Sequence, residues 1–153
     1  MRLTRRFIVK DITQLPLSTP IRYERYYIHD RLRIQKKGNI KEKEILNEEN
    51  VIIKKETITD EEFQTLQASA YAKIIRDSYL LLTDENISIK QYLDKYEGLN
   101  RVEVSFQTEK EMRDYHKKAW MGKEITSSPL AFDKDLSKLT QEEFLTELEK
   151  YLS

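Results

Sequence analysis

Met1-Arg2-Leu3-Thr4-Arg5-Arg6-Phe7-Ile8-Val9-Lys10 opens the chain, and the alternation inside this stretch decides the fold. Successive side chains of a strand point to opposite faces. Arg2, Thr4 and Arg6 therefore share one face, and Leu3 and Phe7 share the other. Segments 23–35, 40–46, 51–58, 74–82, 87–92 and 101–107 carry the same period-two or β-branched and aromatic character. Lys37-Gly38-Asn39, Asn47-Glu48-Glu49-Asn50, Thr83-Asp84-Glu85-Asn86 and Tyr96-Glu97-Gly98 have the composition of hairpin turns. An antiparallel meander is expected.

The two faces differ in kind. One collects Arg2, Thr4, Arg6, Arg31, Arg33, Lys41, Lys43, Lys54, Glu56, Arg76, Ser78, Ser88, Lys90, Arg101, Glu103 and Ser105. The other collects Leu3, Phe7, Leu32, Ile34, Ile53, Ile75, Ile87, Ile89, Val102, Val104 and Phe106. An ordinary small barrel fills its interior with apolar side chains. The reverse pattern predicts an α+β fold: a closed antiparallel β-barrel with a polar, basic lumen and an apolar outer surface beneath about three or more helices. An open sheet whose basic face is solvated has the same periodicity.

Three segments switch to helical spacing, and each starts with a Ser/Thr-x-x-Glu capping box. They are Thr59-Asp60-Glu61-Glu62, Thr108-Glu109-Lys110-Glu111 and Thr140-Gln141-Glu142-Glu143. After the last, Phe144, Leu145, Leu148, Tyr151 and Leu152 form an apolar stripe that needs a surface to cover. Residues 1–153 read as a single domain whose C-terminal helix, 140–152, packs on the barrel.

Composition narrows the chemistry. Twenty-seven basic residues balance 27 acidic ones, so no global field draws the chain to nucleic acid or membrane, and electrostatic function must come from placement. The absence of cysteine excludes disulfides, thiolate catalysis and Cys-type zinc sites and fits a reducing, cytoplasmic setting. No apolar run reaches membrane-spanning length, and arginines interrupt the N-terminus, so neither a membrane partner nor a signal peptide is expected. With three glycines in the chain, no Gly-rich phosphate loop can form. Any bound phosphate must be held by side chains.

Longer motifs carry a resemblance. Phe7-Ile8-Val9-Lys10 follows the N-terminal positions; Arg31-Leu32-Arg33 precedes Lys36-Lys37-Gly38; and Gly98-Leu99 leads through Val102-Glu103-Val104-Ser105-Phe106 to Trp120-Met121-Gly122-Lys123-Glu124-Ile125-Thr126. In this order the motifs resemble the CYTH family, the triphosphate tunnel metalloenzymes, from Arg2 to about Leu136. The resemblance implies a tunnel in which glutamates hold magnesium or manganese while lysines and arginines hold a triphosphate. Its substrates would be inorganic triphosphate, thiamine triphosphate, an RNA 5′ end or ATP.

The chain departs from the family's Glu-x-Glu-x-Lys signature, reading Arg2-x-Thr4-x-Arg6. The Glu-x-Glu of the fourth strand becomes Lys54-x-Glu56, Lys90 replaces the acid of the sixth, and Ser105 replaces the partner of Glu103. At most two or three carboxylates thus face about nine cations in the expected lumen. Like charges ~5 Å apart at an effective dielectric of ~20 repel by about 3 kcal/mol. Weak metal binding follows, with slow or absent hydrolysis, and magnesium or manganese is a cofactor only if catalysis survives.

The expected ligand is a triphosphate-containing small molecule or another polyanion. Arg6, Arg31 and Arg33 are the first candidates for phosphate contact, with Lys43, Lys54 and Arg76 behind them, because arginine's fork matches phosphate oxygens. Glu56 and Glu103 are the candidate metal ligands, although pairing with neighbouring arginines, as also for Glu124, is the competing role. An active triphosphatase or adenylate cyclase-like enzyme is the alternative. A second alternative is an RNA-binding protein stacking bases on Tyr23, Tyr26 and Tyr27. His29 and His116 suggest no catalytic arrangement, and Trp120 reads as a packing anchor.

Overall fold

The computed structural model describes residues 3–152. Arg2, the first expected lumen cation, lies outside the described residues. Eight antiparallel strands form one sheet: β1 (Thr4–Ile8), β2 (Ile21–His29), β3 (Leu32–Lys37), β4 (Ile40–Leu46), β5 (Ile52–Thr57), β6 (Ala72–Leu80), β7 (Ile87–Leu93) and β8 (Asn100–Ser105). Their spatial order is β1-β8-β7-β6-β2-β3-β4-β5. Four α-helices among the described residues accompany them: α1 (Asp60–Gln67), α2 (Glu109–Asp114), α3 (Asp133–Leu136) and α4 (Gln141–Leu152).

Segment 23–35 is two strands rather than one. The chain reverses at Asp30-Arg31, with a register shift between Tyr27 and His29. No glycine or proline marks this reversal, so the pattern hid it. The capping boxes sit at the expected helix starts. Thr59 Oγ1 accepts from the Glu62 amide and Thr108 Oγ1 from the Glu111 amide, both at 3.1 Å. At α4 the box is reciprocal: Thr140 Oγ1 accepts from the Glu143 amide, and Glu143 Oε1 accepts from the Thr140 amide.

Among the described residues the hydrogen bonds do not close the sheet, since β1 and β5 are its two edges. The β1 edge is nevertheless covered. Residues 122–126 run beside it, with the Gly122 amide donating to the Ile8 carbonyl at 2.6 Å, the Ile8 amide to Lys123 at 2.9 Å and the Ile125 amide to Arg6 at 2.8 Å. Gly122 is required there, because a Cβ would lie 2.8 Å from Ile8 Cγ2 and 2.9 Å from its carbonyl oxygen. Glu124 then accepts from Arg5 at 2.7 and 3.0 Å. The Trp-x-Gly-x-Glu-x-Thr motif thus works as an edge cover, with Trp120 packed on the cluster around Phe7, Val9 and Met121.

Apolar clusters lie on both sides of the sheet. Phe7, Ile87, Ile89, Val102 and Val104 form one on the outer face, and Tyr26 and Ile34 join Phe63 of α1 in a second. On the opposite face Tyr27, Ile74 and Tyr92 pack with Leu130, Leu136, Phe144 and Leu148. That last cluster occupies one end of the polar face and lets α3 and α4 lie across it.

Candidate anion site

Directly opposed residues on antiparallel strands share a face. The ladders place Arg6 opposite Glu103, Lys90 opposite Arg101, Arg76 opposite Tyr92 and Tyr23, Arg25 opposite Gln35, and Arg33 opposite Tyr27 and Glu44. One continuous face therefore carries these cations from six strands, β1, β2, β3, β6, β7 and β8.

Three of them share a partner that comes from outside the sheet. After the edge cover, Ser128 caps the turn Pro129–Ala131 by accepting from the Leu130 amide, and the chain enters α3 at Asp133. Asp133 is 5% exposed. Its Oδ2 accepts from Arg25 at 2.9 Å and from Arg76 Nε at 3.0 Å. Its Oδ1 accepts from the Tyr92 hydroxyl and from Arg101 at 3.3 Å. One carboxylate thus gathers three arginines. Burial pushes the Asp133 carboxyl up, but Arg76, Arg101, Arg25 and the Tyr92 hydroxyl outweigh it and hold it well below the usual range.

The remaining cations have smaller sets of partners. Arg33 donates to Glu44 at 2.7 Å, and Glu44 lies 3.4 Å from Lys55. Arg25 Nε donates to Gln35, which passes a bond to Glu42. Arg6 pairs with Glu103 at 3.4 Å, donates to Thr4 and lies 4.2 Å from the Phe132 ring centroid. Lys90 donates to Ser88 and sits 3.7 Å from Glu103.

Among the described side chains on this face no more than 14% exposed, six are cationic (Arg6, Arg25, Arg33, Arg76, Lys90, Arg101) and four are carboxylates (Glu42, Glu44, Glu103, Asp133). The excess is two charges, smaller than the sequence pattern suggested but buried. Its cost is visible: burial, then repulsion from Arg76 and Arg33, lowers the Arg25 pKa despite Asp133. Arg101 Nε is a buried donor with no acceptor among the described residues.

Lys90 is the titratable member. Burial lowers its pKa to about 8, with repulsion from Arg76 and Arg101 opposing the attraction of Glu103. A base whose folded pKa is depressed binds fewer protons folded than unfolded, so stability should rise as pH climbs from about 8 towards the ordinary lysine value of 10.5. Polyanion affinity should fall over the same interval in the wild type, with the step absent from Lys90→Met. Parallel pH titrations of the two proteins cancel the ligand's own ionisation. Identical profiles would remove Lys90 from the site.

The expected site residues divide. Arg6, Arg33 and Arg76 are on the face just described. Arg31 is not: it lies in the β2–β3 turn, 53% exposed, and pairs with Glu48. Lys43, Lys54 and Glu56 lie on the other face, because β4 and β5 are one residue out of the expected phase. Lys43 pairs with Glu56 at 3.0 Å and Glu62 of α1 at 2.9 Å, while Glu42, Glu44 and Lys55 take the inward positions. Glu56 and Glu103 therefore stand on opposite faces and cannot share one ion. Among the described residues no three His, Cys, Asp or Glu side chains gather as a metal site would. Tyr26 and Tyr27 are buried and unavailable for base stacking; Tyr23 lies 4.5 Å beneath the Arg76 guanidinium.

Arg25 and Asp133 are not among the residues that the sequence pattern singles out. Arg25 is two residues from Tyr23 and Tyr27 on the same strand face and was legible by alternation once the turn was placed. Asp133, in Asp133-Lys134-Asp135, carried no signal separating it from a solvated helix start.

No family model and no curated protein sequence matches the chain. Solved structures do. A crystal structure described as the inorganic triphosphatase NE1496 superposes with a TM-score of 0.73 at 19% identity, covering 90% of this chain and 97% of that one. A second crystal structure, described as the hypothetical protein NE1496, gives the same values. The chain thus has the fold seen in those structures, an eight-stranded antiparallel sheet with helices. No helix among the described residues is long and apolar enough to cross a membrane.

Proposed function

We propose that the chain is a CYTH-like barrel protein that binds a triphosphate-containing small molecule or another polyanion on its arginine face, with weak or lost metal-dependent catalysis. The observation that carries this reading is the buried cationic excess on one sheet face, concentrated where Arg25, Arg76 and Arg101 converge. Guanidinium groups match phosphate oxygens with paired hydrogen bonds, and a polyanion would neutralise charge that Glu42, Glu44, Glu103 and Asp133 leave over. The proposed contacts are Arg6, Arg33 and Arg76, joined by Arg25, Lys90 and Arg101. A bridging of the β1 and β5 edges into a tunnel belongs to the same reading. The likeness to a structure described as an inorganic triphosphatase supports it at the level of fold.

A resident divalent metal does not fit these residues. Glu103 is held between Arg6 and Lys90, Glu44 between Arg33 and Lys55, and Asp133 among three arginines, so none of these three carboxylates can ligate a cation without leaving arginine or lysine charge uncompensated.

Titration with tripolyphosphate in EDTA tests the assignment. Arg33→Ala should weaken binding roughly tenfold or more, the size expected for a lost hydrogen bond to a charged group. Arg31→Ala should leave it unchanged. Equal effects would reject the face. Magnesium- or manganese-dependent phosphate release, or cyclisation of ATP, well above background would replace the proposal with an active triphosphatase or adenylate cyclase-like enzyme.

A further inference from the structure

We propose that the Asp133 carboxylate is a built-in occupant of a phosphoryl subsite, and that it limits how tightly the arginine face holds a polyanion. The inference rests on the anion-binding reading above and adds a specificity-determining residue to it. Both Asp133 oxygens are fully used: Oδ2 takes donors from Arg25 and Arg76, and Oδ1 takes them from Tyr92 and Arg101. Three guanidinium groups and a phenol around one small anion form the donor set a phosphoryl group would meet, since both anions present oxygens in a plane or cone that arginine forks match. The sheet itself supplies all four donors, from β2, β6, β7 and β8, whereas the acceptor is delivered by the connection between the edge cover and α4.

The delivering segment is held independently of the carboxylate. Leu130 and Leu136 are fully buried in the apolar cluster with Phe144 and Leu148, Arg101 donates to the Leu130 carbonyl at 3.0 Å, and α3 keeps its backbone bonds from Leu136 to Phe132 and from Ser137 to Asp133. Neutralising the side chain therefore leaves the segment in place and removes the charge that compensates three arginines. In the wild type a polyanion reaching Arg6, Arg33 and Lys90 shares Arg25, Arg76 and Arg101 with a carboxylate already bonded to all three. With an amide there, the charge of the triad is left for the ligand to compensate.

Asp133→Asn, isosteric and uncharged, is the direct test. Tripolyphosphate affinity in EDTA should rise at least about tenfold over wild type, the gain expected from one or more additional charge-assisted hydrogen bonds. Because Asp133→Asn leaves three buried arginines without their carboxylate, Asp133→Asn with Arg25→Gln serves as a second variant. It keeps the local charge equal to that of the wild type and should still bind more tightly, with far-UV circular dichroism confirming the fold. A carboxylate that is merely a structural counter-ion predicts unchanged or weaker binding in both variants. That result, with wild-type binding intact and sensitive to Arg33→Ala, overturns this inference alone. Absence of binding by the wild type and both variants overturns the anion-binding reading together with it.

Discussion

Asp133→Ala is expected to lower the unfolding free energy by about 3–5 kcal/mol, the cost of leaving buried charge uncompensated, whereas Arg25→Met should cost less than about 1 kcal/mol. The asymmetry follows from the excess of cations. Removing the carboxylate strands Arg25, Arg76 and Arg101 together. Removing Arg25 still leaves Asp133 with two arginines and the Tyr92 hydroxyl, and it relieves the repulsion that Arg76 and Arg33 exert. Methionine also preserves the packing of the arginine stem. Urea unfolding of the two variants at neutral pH measures both numbers. Equal losses would show that the face is charge-balanced and has no need of an external anion. The pH dependence has a definite sign: a depressed carboxyl pKa contributes stability that is complete above the ordinary value of 3.8 and is lost only as pH falls through the folded value, well below it. Asp133 should therefore hold the triad at any physiological pH.

Phe144→Ala should cost a similar amount, about 3–5 kcal/mol, for a different reason. Phe144 is fully buried and meets Tyr96 edge-on, with ring centroids 5.1 Å apart. Together with Leu148 it fixes α4 over Tyr27, Ile74, Tyr92 and Leu99. A cavity there lies beneath the helix that follows α3, and the loss would take about a fifth or more of the ~5–15 kcal/mol available to a domain of this size. Leu145, 49% exposed on the same helix, provides the control, and Leu145→Ala should change stability by no more than about 0.5 kcal/mol. Comparable losses from the two would mean that α4 does not use the face described.

What the sequence revealed depended on whether polarity alternated. In β7 and β8 the faces differ in polarity, so Ile87, Ile89, Val102 and Val104 announce their side and Lys90, Arg101 and Glu103 follow. In β4, Lys41-Glu42-Lys43-Glu44 puts charge on both faces, and a one-residue slip costs nothing recognisable in the pattern. What sets the phase is tertiary: Asp60 and Glu62 on α1 draw Lys41 and Lys43 outward, and Arg33 and Lys55 hold Glu44 inward. Three hydroxyl capping boxes made the starts of α1, α2 and α4 readable, because each is a local bond between residues three apart. Asp133 is the opposite case. It meets Arg25, Arg76 and Arg101 across 108, 57 and 32 residues, and its meaning exists only once the sheet has brought them together.

The central claim, that surplus buried arginine charge on one sheet face binds polyphosphate without help from a metal, is tested most directly by calorimetric titration of the wild-type protein with tripolyphosphate, first in EDTA and then in magnesium. Saturable binding in EDTA that magnesium does not strengthen is the predicted result. Silence in EDTA followed by binding when magnesium is supplied would contradict it.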